Sequence, residues 1–413
     1  MFTMSSLQKL KSRVVRVAAK AGSKLLRKYV ARYLWLRGLE SYEFSLLRSG
    51  FFDITKSDIE NTVNLNRAWL SSGPHRVASV LFFVNPFGKE PSAGPRNILG
   101  LAKYFLSKGV EVLFGVVSTN TSTLKTVEEA FKFHGVDAKC FLITKPKEVD
   151  SLPYSTISIA TFWPTAYPLL RFHNTSAKVY LIQDEETAFY PAGVLQYFAE
   201  YTYHFGFIGI TNAYEVREWY ERTYQIPCFY FPPFIIRASK RKELDNTSVS
   251  RVATYFRLGV SRNAPELLYM VLKEIKRRFN VEVRVVGSRL WVKEFKSMGW
   301  IEADELRKLY ENSDVCLYLM FSRHPGVIPL ECMDAGAIVI TNKKHLRHSY
   351  LVHEYNALIV EPTLSSIINA FEKVIRDVEL RKRLILNGYK TVDTIFKNRE
   401  EELDQMLKKL SGA

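Results

Sequence analysis

Apolar residues in this chain fall into short runs separated by amphipathic stretches. Val77–Val84, Val110–Val117, Lys139–Ile143, Ile157–Ala160, Lys178–Ile182 and Phe207–Thr211 have the length and β-branched or aromatic content of buried strands. Between them, Pro95–Leu106, Thr123–Phe133, Thr165–Phe172, Gly193–Tyr203 and Ala213–Tyr224 place apolar residues at three- and four-residue steps, the mark of a helix with one buried face. Ile236–Ser250 is polar, carries the turn-forming Asp245-Asn246, and reads as a linker. The alternation then resumes. Strands are predicted at Arg251–Tyr255, Val281–Val286, Val315–Leu319, Ile338–Thr341 and Leu358–Val360. Helices are predicted at Ala264–Arg278, Ala303–Asn312 and Leu330–Ala335, and from Ser365 and Leu380. Strand–helix alternation of this kind predicts an α/β fold with parallel sheets covered on both faces. Two such runs predict two doubly wound, Rossmann-like domains facing a cleft: 77–240 on one side and 250–385 on the other, with 386–413 a C-terminal helix crossing back to the first domain.

The first 76 residues read as a basic helix followed by a connector. Leu7, Leu10, Val14, Val17, Ala21, Leu25 and Tyr29 form one apolar stripe over residues 5–37, and Asp53 or Ser57 would start a later helix. Ten bases lie in residues 1–37 before the first acid, Glu40, so this segment carries +10 of the formal +16. Bases throughout the segment exclude a signal peptide. No apolar run reaches the 18 or so residues of a membrane span. Stripe and charge together point to an anionic membrane surface met through residues 5–37. The four scattered cysteines, without a C-x-x-C pair, point to reduced thiols. The expected location is cytoplasmic, peripheral at the inner face of the cell membrane. A nucleic-acid-binding protein with a basic tail is the competing reading. The rest of the chain lacks a basic excess of similar density, so no nucleic-acid partner is expected.

Candidate chemistry gathers where predicted strands end. Ser322–Thr341 runs from a strand end through a glycine turn into a short helix and out along a strand. The amides of Gly326, Val327 and Ile328 would sit unpaired at the helix start and bind phosphate, with Glu331 one turn deeper accepting a sugar hydroxyl. Arg257 and Arg262 flank the turn after the strand from Arg251, before Asn263-Ala264-Pro265-Glu266, which reads as a capped helix start. Two arginines there can be a solvated pair. Their place at a strand-to-helix turn favours a bidentate phosphate clamp. Gly287 ends a strand and is equally a close-approach glycine or a plain turn. Gly94, before Pro95, ends a loop from Asn85 that would cover a diphosphate from the other side of the cleft; it is neither a P-loop nor G-x-G-x-x-G. In Gln183-Asp184-Glu185-Glu186, Asp184 is the candidate to hold acceptor hydroxyls or take a proton, against a solvated helix start. His324 precedes the Gly326 turn. No D-x-D and no metal spacing of histidines occurs, so no metal is expected.

Residues 251–341 resemble the donor domain of the retaining, family-four glycosyltransferases of the GT-B fold. Arg257 and Arg262 stand at the family's diphosphate-binding Arg and Arg/Lys. Gly299-Trp300-Ile301, followed by Leu306–Leu317, is similar to a stretch whose start lines the base. His324–Ile340 is similar to its Gly-x-x-x-Leu-Glu segment. Where the family carries a first Glu on the transferred sugar, this chain has Arg323, so sugar recognition would differ and His324 would share it. Tyr180–Gly193 further resembles a segment of bacterial rhamnosyltransferases that build rhamnan and surface-layer glycans, as does the whole layout of the chain. The resemblance implies a nucleotide-sugar donor, dTDP-β-L-rhamnose, and transfer of L-rhamnose with retention to a rhamnan or surface-layer glycan acceptor, lipid-linked. It implies Arg257 and Arg262 as the groups that stabilise the leaving diphosphate, Asp184 on the acceptor side, and no cofactor beyond the donor. A UDP- or GDP-sugar is the alternative donor.

Overall fold

The structure, a computed structural model, describes residues 38–89, 92–244, 248–290, 292–343 and 350–413. Residues 5–37, where the basic helix is expected, lie outside the described residues, as do Glu90 and Pro91 of the Asn85–Pro95 loop.

Two parallel sheets carry the molecule. The first contains β1 (Ser79–Val84), β2 (Glu111–Val117), β3 (Lys139–Ile143), β4 (Ser155–Ala160), β5 (Thr175–Leu181), β6 (Ile208–Thr211) and β7 (Cys228–Tyr230), in the spatial order β3-β2-β1-β4-β5-β6-β7. The second contains β8 (Arg251–Phe256), β9 (Glu282–Gly287), β10 (Lys296–Gly299), β11 (Val315–Leu317), β12 (Ile338–Asn342) and β13 (Ala357–Val360), ordered β10-β9-β8-β11-β12-β13. Both orders reverse at a central strand pair, β1/β4 in one sheet and β8/β11 in the other, and such a switch opens a crevice at the carboxyl ends of the strands.

The side-chain period of two explains why these strands read as unbroken apolar runs. Along β1, Val80, Phe82 and Val84 enter one core while Leu81 and Phe83 enter the core on the opposite face. The second sheet divides likewise: Val252 and Val283 face one side, Ala253 and Val286 the other. The two strands that the pattern did not mark, β7 and β10, lie at sheet edges and are only three and four residues long, and β10 also carries Lys296, Ser297 and Gly299.

Other differences have local causes. The helix expected from Asp53 or Ser57 starts at Lys56. Thr55 caps it and Asp58 reaches back to the Thr55 amide at 2.7 Å, a reciprocal pair that neither of the expected residues can make. This helix, Lys56–Ser72, belongs to the first domain: Asn66 donates to the carbonyls of Lys178 and Gly206, both at 2.8 Å. Asn263 is not a helix cap. Ala264, with φ +42°, precedes the helix Pro265–Arg278, and the Asn263 amide donates to the Leu319 carbonyl at 2.9 Å. Ile236–Ser250 is not a loose linker. Arg237 and Arg241 both pair with buried Asp334, at 2.7 and 2.9 Å, and Lys242 pairs with Asp314 at 2.9 Å. The helix Val378–Lys397 stays on the second domain, so the return to the first begins at Asn398 and not near 386. The helix Arg399–Leu410 then packs Leu403, Met406 and Leu410 into the first core, and Trp69 donates to the Leu410 carbonyl at 2.7 Å.

One core group carries a pH signature. Lys178 on β5 is 1% exposed, and its ammonium donates to the Leu170 carbonyl at 2.6 Å and the Thr62 hydroxyl at 3.2 Å. Burial pushes its pKa from 10.5 down to about 7. The unfolded lysine keeps its proton to higher pH. Across that window the unfolded state binds more protons and stability rises with pH. Wild type is therefore expected to gain melting temperature relative to Lys178→Met between about pH 7 and about pH 9, other groups cancelling in the difference. A constant difference would show that Lys178 does not titrate there.

Candidate active site at the domain cleft

The carboxyl ends of the two sheets face each other, and the residues that leave them form one charged cleft. From the second domain, β8 ends at Phe256 and delivers Arg257, half-buried, its side chain without a hydrogen bond or ion pair among the described residues. Arg262 sits on the short turn Ser261–Asn263. Its guanidinium lies 3.8 Å from the centre of the Phe189 ring, and its Nε is 3.7 Å from Asp184 Oδ2 without closing a hydrogen bond. Burial lowers its pKa, opposed by the Asp184 charge. The Arg262 carbonyl accepts the Phe321 amide at 2.7 Å, which ties this turn to the loop after β11.

That loop leads into the helix Ile328–Asp334, which begins two residues earlier than the apolar pattern predicts because Pro329 fits its first turn. Gly326 has φ +86°, and a Cβ there would stand 2.5 Å from the Tyr318 hydroxyl, so the turn requires glycine. Its amide is not unpaired, as the sequence suggested: it donates to His324 Nδ1 at 2.7 Å, and its carbonyl accepts from Tyr350. His324 Nδ1 is thus the acceptor nitrogen, and Nε2 faces Asn212 Oδ1 of the first domain at 3.0 Å. Both ring nitrogens are engaged inside the protein, so His324 is a link between domains and not a free sugar-binding group. Gly287, with φ +99°, has the Phe256 carbonyl 2.5 Å from where a Cβ would stand, so β8 and β9 close tightly at the cleft mouth. Trp300 is 57% exposed beyond the edge strand β10, and Ile301 is half-buried against the second domain's core.

Glu331 is the buried acid of the site. Its Oε1 accepts from Arg96 at 2.6 Å and from the Ile236 amide at 3.1 Å, while Oε2 is buried with no hydrogen-bond partner. Burial raises its pKa, and Arg96 opposes the rise. Arg96 comes from the first domain, early in the helix Ala93–Ser107. Burial raises the pKa of the Tyr255 phenol nearby, and the charges of Arg257 and Arg96 oppose the rise.

The first domain also supplies the acidic loop after β5. Asp184 accepts the Ser322 hydroxyl at 3.0 Å and the His324 amide at 3.3 Å. Glu185 pairs with Arg323 at 3.3 Å. Glu186 turns inward, accepting from the Trp163 amide at 2.6 Å and Tyr180 at 2.7 Å, and burial pushes its pKa up to about 8. Gly94 faces the Gln183 amide, 3.4 Å from its Cβ position. A separate groove of 690 Å³, lined by Val63, Leu70, Tyr224 and Ile226 among others, lies away from this cleft and gathers no comparable charge.

The structure therefore brings Arg257, Arg262, Asp184, Arg323, His324, Gly326 and Glu331 to one cleft and leaves Trp300 at its outer edge. Sequence reasoning missed Arg96, Asn212 and Phe189. Arg96 did leave a signal: a cation in the first turns of a helix opposes the helix dipole and needs a partner, here Glu331.

Comparisons with known proteins agree with this layout. Residues 250–372 match the family model described as WsaF, C-terminal domain. The chain is 31% identical over 279 residues to the O-antigen biosynthesis protein RfbC of Myxococcus xanthus, covering 65% of this chain and 22% of that protein. It is 26% identical over 141 residues to the uncharacterized glycosyltransferase MJ1607 of Methanocaldococcus jannaschii, covering 31% of this chain and 36% of that one. The chain thus spans about a fifth and about a third of those relatives. Among solved structures, Anabaena HepE in complex with UDP and glucose superposes with a TM-score of 0.62 at 14% identity, covering 80% of this chain and 98% of HepE. An S. aureus TarM variant in complex with fondaparinux, α-GlcNAc-glycerol and UDP gives 0.63 at 9% identity, covering 81% and 100%. Two facing parallel-sheet domains in this order and at this similarity are the GT-B fold, and the chain has that fold.

Proposed function

We propose that this protein is a retaining glycosyltransferase of cell-surface polysaccharide synthesis. It takes L-rhamnose from dTDP-β-L-rhamnose and passes it to a rhamnan or surface-layer glycan acceptor. The observation that carries the reading is Glu331: a buried carboxylate with one oxygen unsatisfied, in the same cleft as two arginines at the end of β8. A buried acceptor without a donor is costly, and a sugar hydroxyl of a nucleotide would satisfy it. Arg257 and Arg262 supply positive charge for a departing diphosphate. With the Gly326 amide occupied, the helix start contributes through Val327 and Ile328. The match to the WsaF C-terminal domain and the likeness to an O-antigen biosynthesis protein support a surface-glycan role.

Thermal-shift measurement with dTDP, UDP, GDP and their sugars tests the donor, since a ligand of the folded state raises its melting point with concentration. dTDP-L-rhamnose is expected to give the largest shift. The UDP bound in HepE and TarM favours a second reading, a UDP-sugar donor, and a larger shift with UDP would select it.

A lipid-linked acceptor would be met at the membrane through the basic residues 5–37. Each base near an anionic surface contributes about 1 kcal/mol, and even half of the ten would give reversible attachment. Protein starting near Arg37 is expected to bind nucleotide yet no longer sediment with anionic vesicles. Equal sedimentation of both forms would discard the membrane role.

A further inference from the structure

We propose that Asp184 is a built-in stand-in for the donor's phosphate, holding the anion-binding groups of the cleft until a nucleoside diphosphate displaces it. The proposal rests on the nucleotide-sugar reading above. Asp184 follows β5 in the first domain, yet apart from the amide of its own neighbour Glu185, at 2.8 Å, its partners belong to the second domain. Oδ2 takes the Ser322 hydroxyl at 3.0 Å and lies 3.7 Å from Arg262 Nε. Oδ1 takes the His324 amide at 3.3 Å. A hydroxyl, a backbone amide and a guanidinium are the donors that proteins offer a phosphate oxygen.

Two further contacts make the acidic loop a latch between the domains. Glu185 reaches Arg323 at 3.3 Å, and Phe189 lies under the Arg262 guanidinium. The Asp184–Arg262 pair is loose, with Arg262 Nε buried and not hydrogen-bonded, so the guanidinium is oriented without being saturated. A diphosphate carries more charge than one carboxylate, and two anions cannot share these donors without strong repulsion. Diphosphate binding then displaces Asp184 toward the first domain. By linkage, whatever Asp184 gains from these partners is subtracted from the affinity for diphosphate.

The test is calorimetric titration of dTDP and UDP into the full chain. Asp184→Asn keeps the side chain's shape and can still accept from Ser322, but removes the competing charge. It is expected to tighten diphosphate binding by about tenfold, the worth of one charge-assisted hydrogen bond. The gain should shrink at high salt. Glu185→Gln, which weakens the latch at Arg323 without removing a donor that the phosphate would use, is expected to tighten binding by a smaller factor and serves if Asp184→Asn does not fold. Unchanged or weaker binding in the folded variants would make Asp184 a simple interdomain brace and overturn the proposal. Arg262→Ala separates the two ideas. Lost affinity in Arg262→Ala without a gain in Asp184→Asn removes only the stand-in. No binding of either nucleotide to any form removes the nucleotide-sugar reading and the stand-in with it.

Discussion

Arg257→Ala is expected to weaken nucleoside diphosphate binding by tenfold to hundredfold while leaving the melting temperature unchanged. The two halves of that expectation have separate grounds. The Arg257 side chain makes no hydrogen bond or ion pair among the described residues, and its one hydrogen bond, from the Val260 amide to its carbonyl, survives substitution, so its removal breaks no polar contact of the folded protein. A guanidinium meeting a phosphate in a cleft contributes about 1.5–3 kcal/mol, which sets the factor. Arg262→Ala should lose affinity too, with a cost to stability, because the same side chain covers Phe189 and faces Asp184. Lysine should not replace it, since an ammonium cannot stack flat on that ring. Calorimetry with dTDP and a melting curve on each variant decide the matter. Wild-type affinity in both variants would remove the clamp.

The architecture was legible because each central strand is buried on both faces. β1, with all six residues buried, is apolar at every position after Ser79, and the helices between strands had to show one apolar stripe. Legibility failed at the rim. β7 and β10 are edge strands of three and four residues, too short for a period of two to show, and β10 is largely polar as well. It failed also where a side chain's partner is remote in sequence. Asn263 has the look of a helix cap, and only the fold reveals that Leu319, 56 residues away, takes its amide. The stretch from Arg237 to Lys242 is charged like a linker, but its charges are matched by Asp334 and Asp314, which the chain supplies much later.

The site divides in the same way. Arg257, Arg262 and Glu331 stand at strand ends and a helix start, positions that a local pattern defines, and a family resemblance could be hung on them. Arg96 pairs with Glu331 across 235 residues, and Asp184 with Ser322 across 138. No local pattern encodes such pairs. What the sequence offered instead was a discord: an arginine where the helix dipole disfavours it, and an acidic cluster facing a domain rich in arginine. Local conflicts of that kind concentrate at functional sites, and here both lead into the cleft.

Glu331→Gln is expected to reduce nucleotide affinity by tenfold or more, and the loss should be traceable to one hydroxyl. Glu331 Oε1 is held by Arg96 and the Ile236 amide, so the carboxylate cannot rotate freely, and Oε2 is the oxygen left to meet a ligand. In the glutamine variant the carbonyl oxygen can keep the Ile236 amide, and an NH₂ group then replaces the unsatisfied acceptor. It no longer accepts a hydroxyl proton, and losing a hydrogen bond to a charged group costs about 1.5–3 kcal/mol. Alanine is the poorer test. Both variants remove the counter-charge of Arg96, but alanine also leaves Arg96, with an Nε already buried and unpartnered, without the acceptor that the glutamine carbonyl can still offer, so a larger loss of stability would accompany any loss of binding. The discriminating experiment is a cycle. Wild type and Glu331→Gln are each titrated with dTDP and with its 3′-deoxy analogue, which lacks the sugar hydroxyl. If Glu331 takes that hydroxyl, the analogue binds wild type as weakly as dTDP binds the variant, and the two losses do not add. Additive losses would mean that Glu331 acts elsewhere, as a buried anchor for Arg96 alone, and that the pentose is held by another group of the cleft.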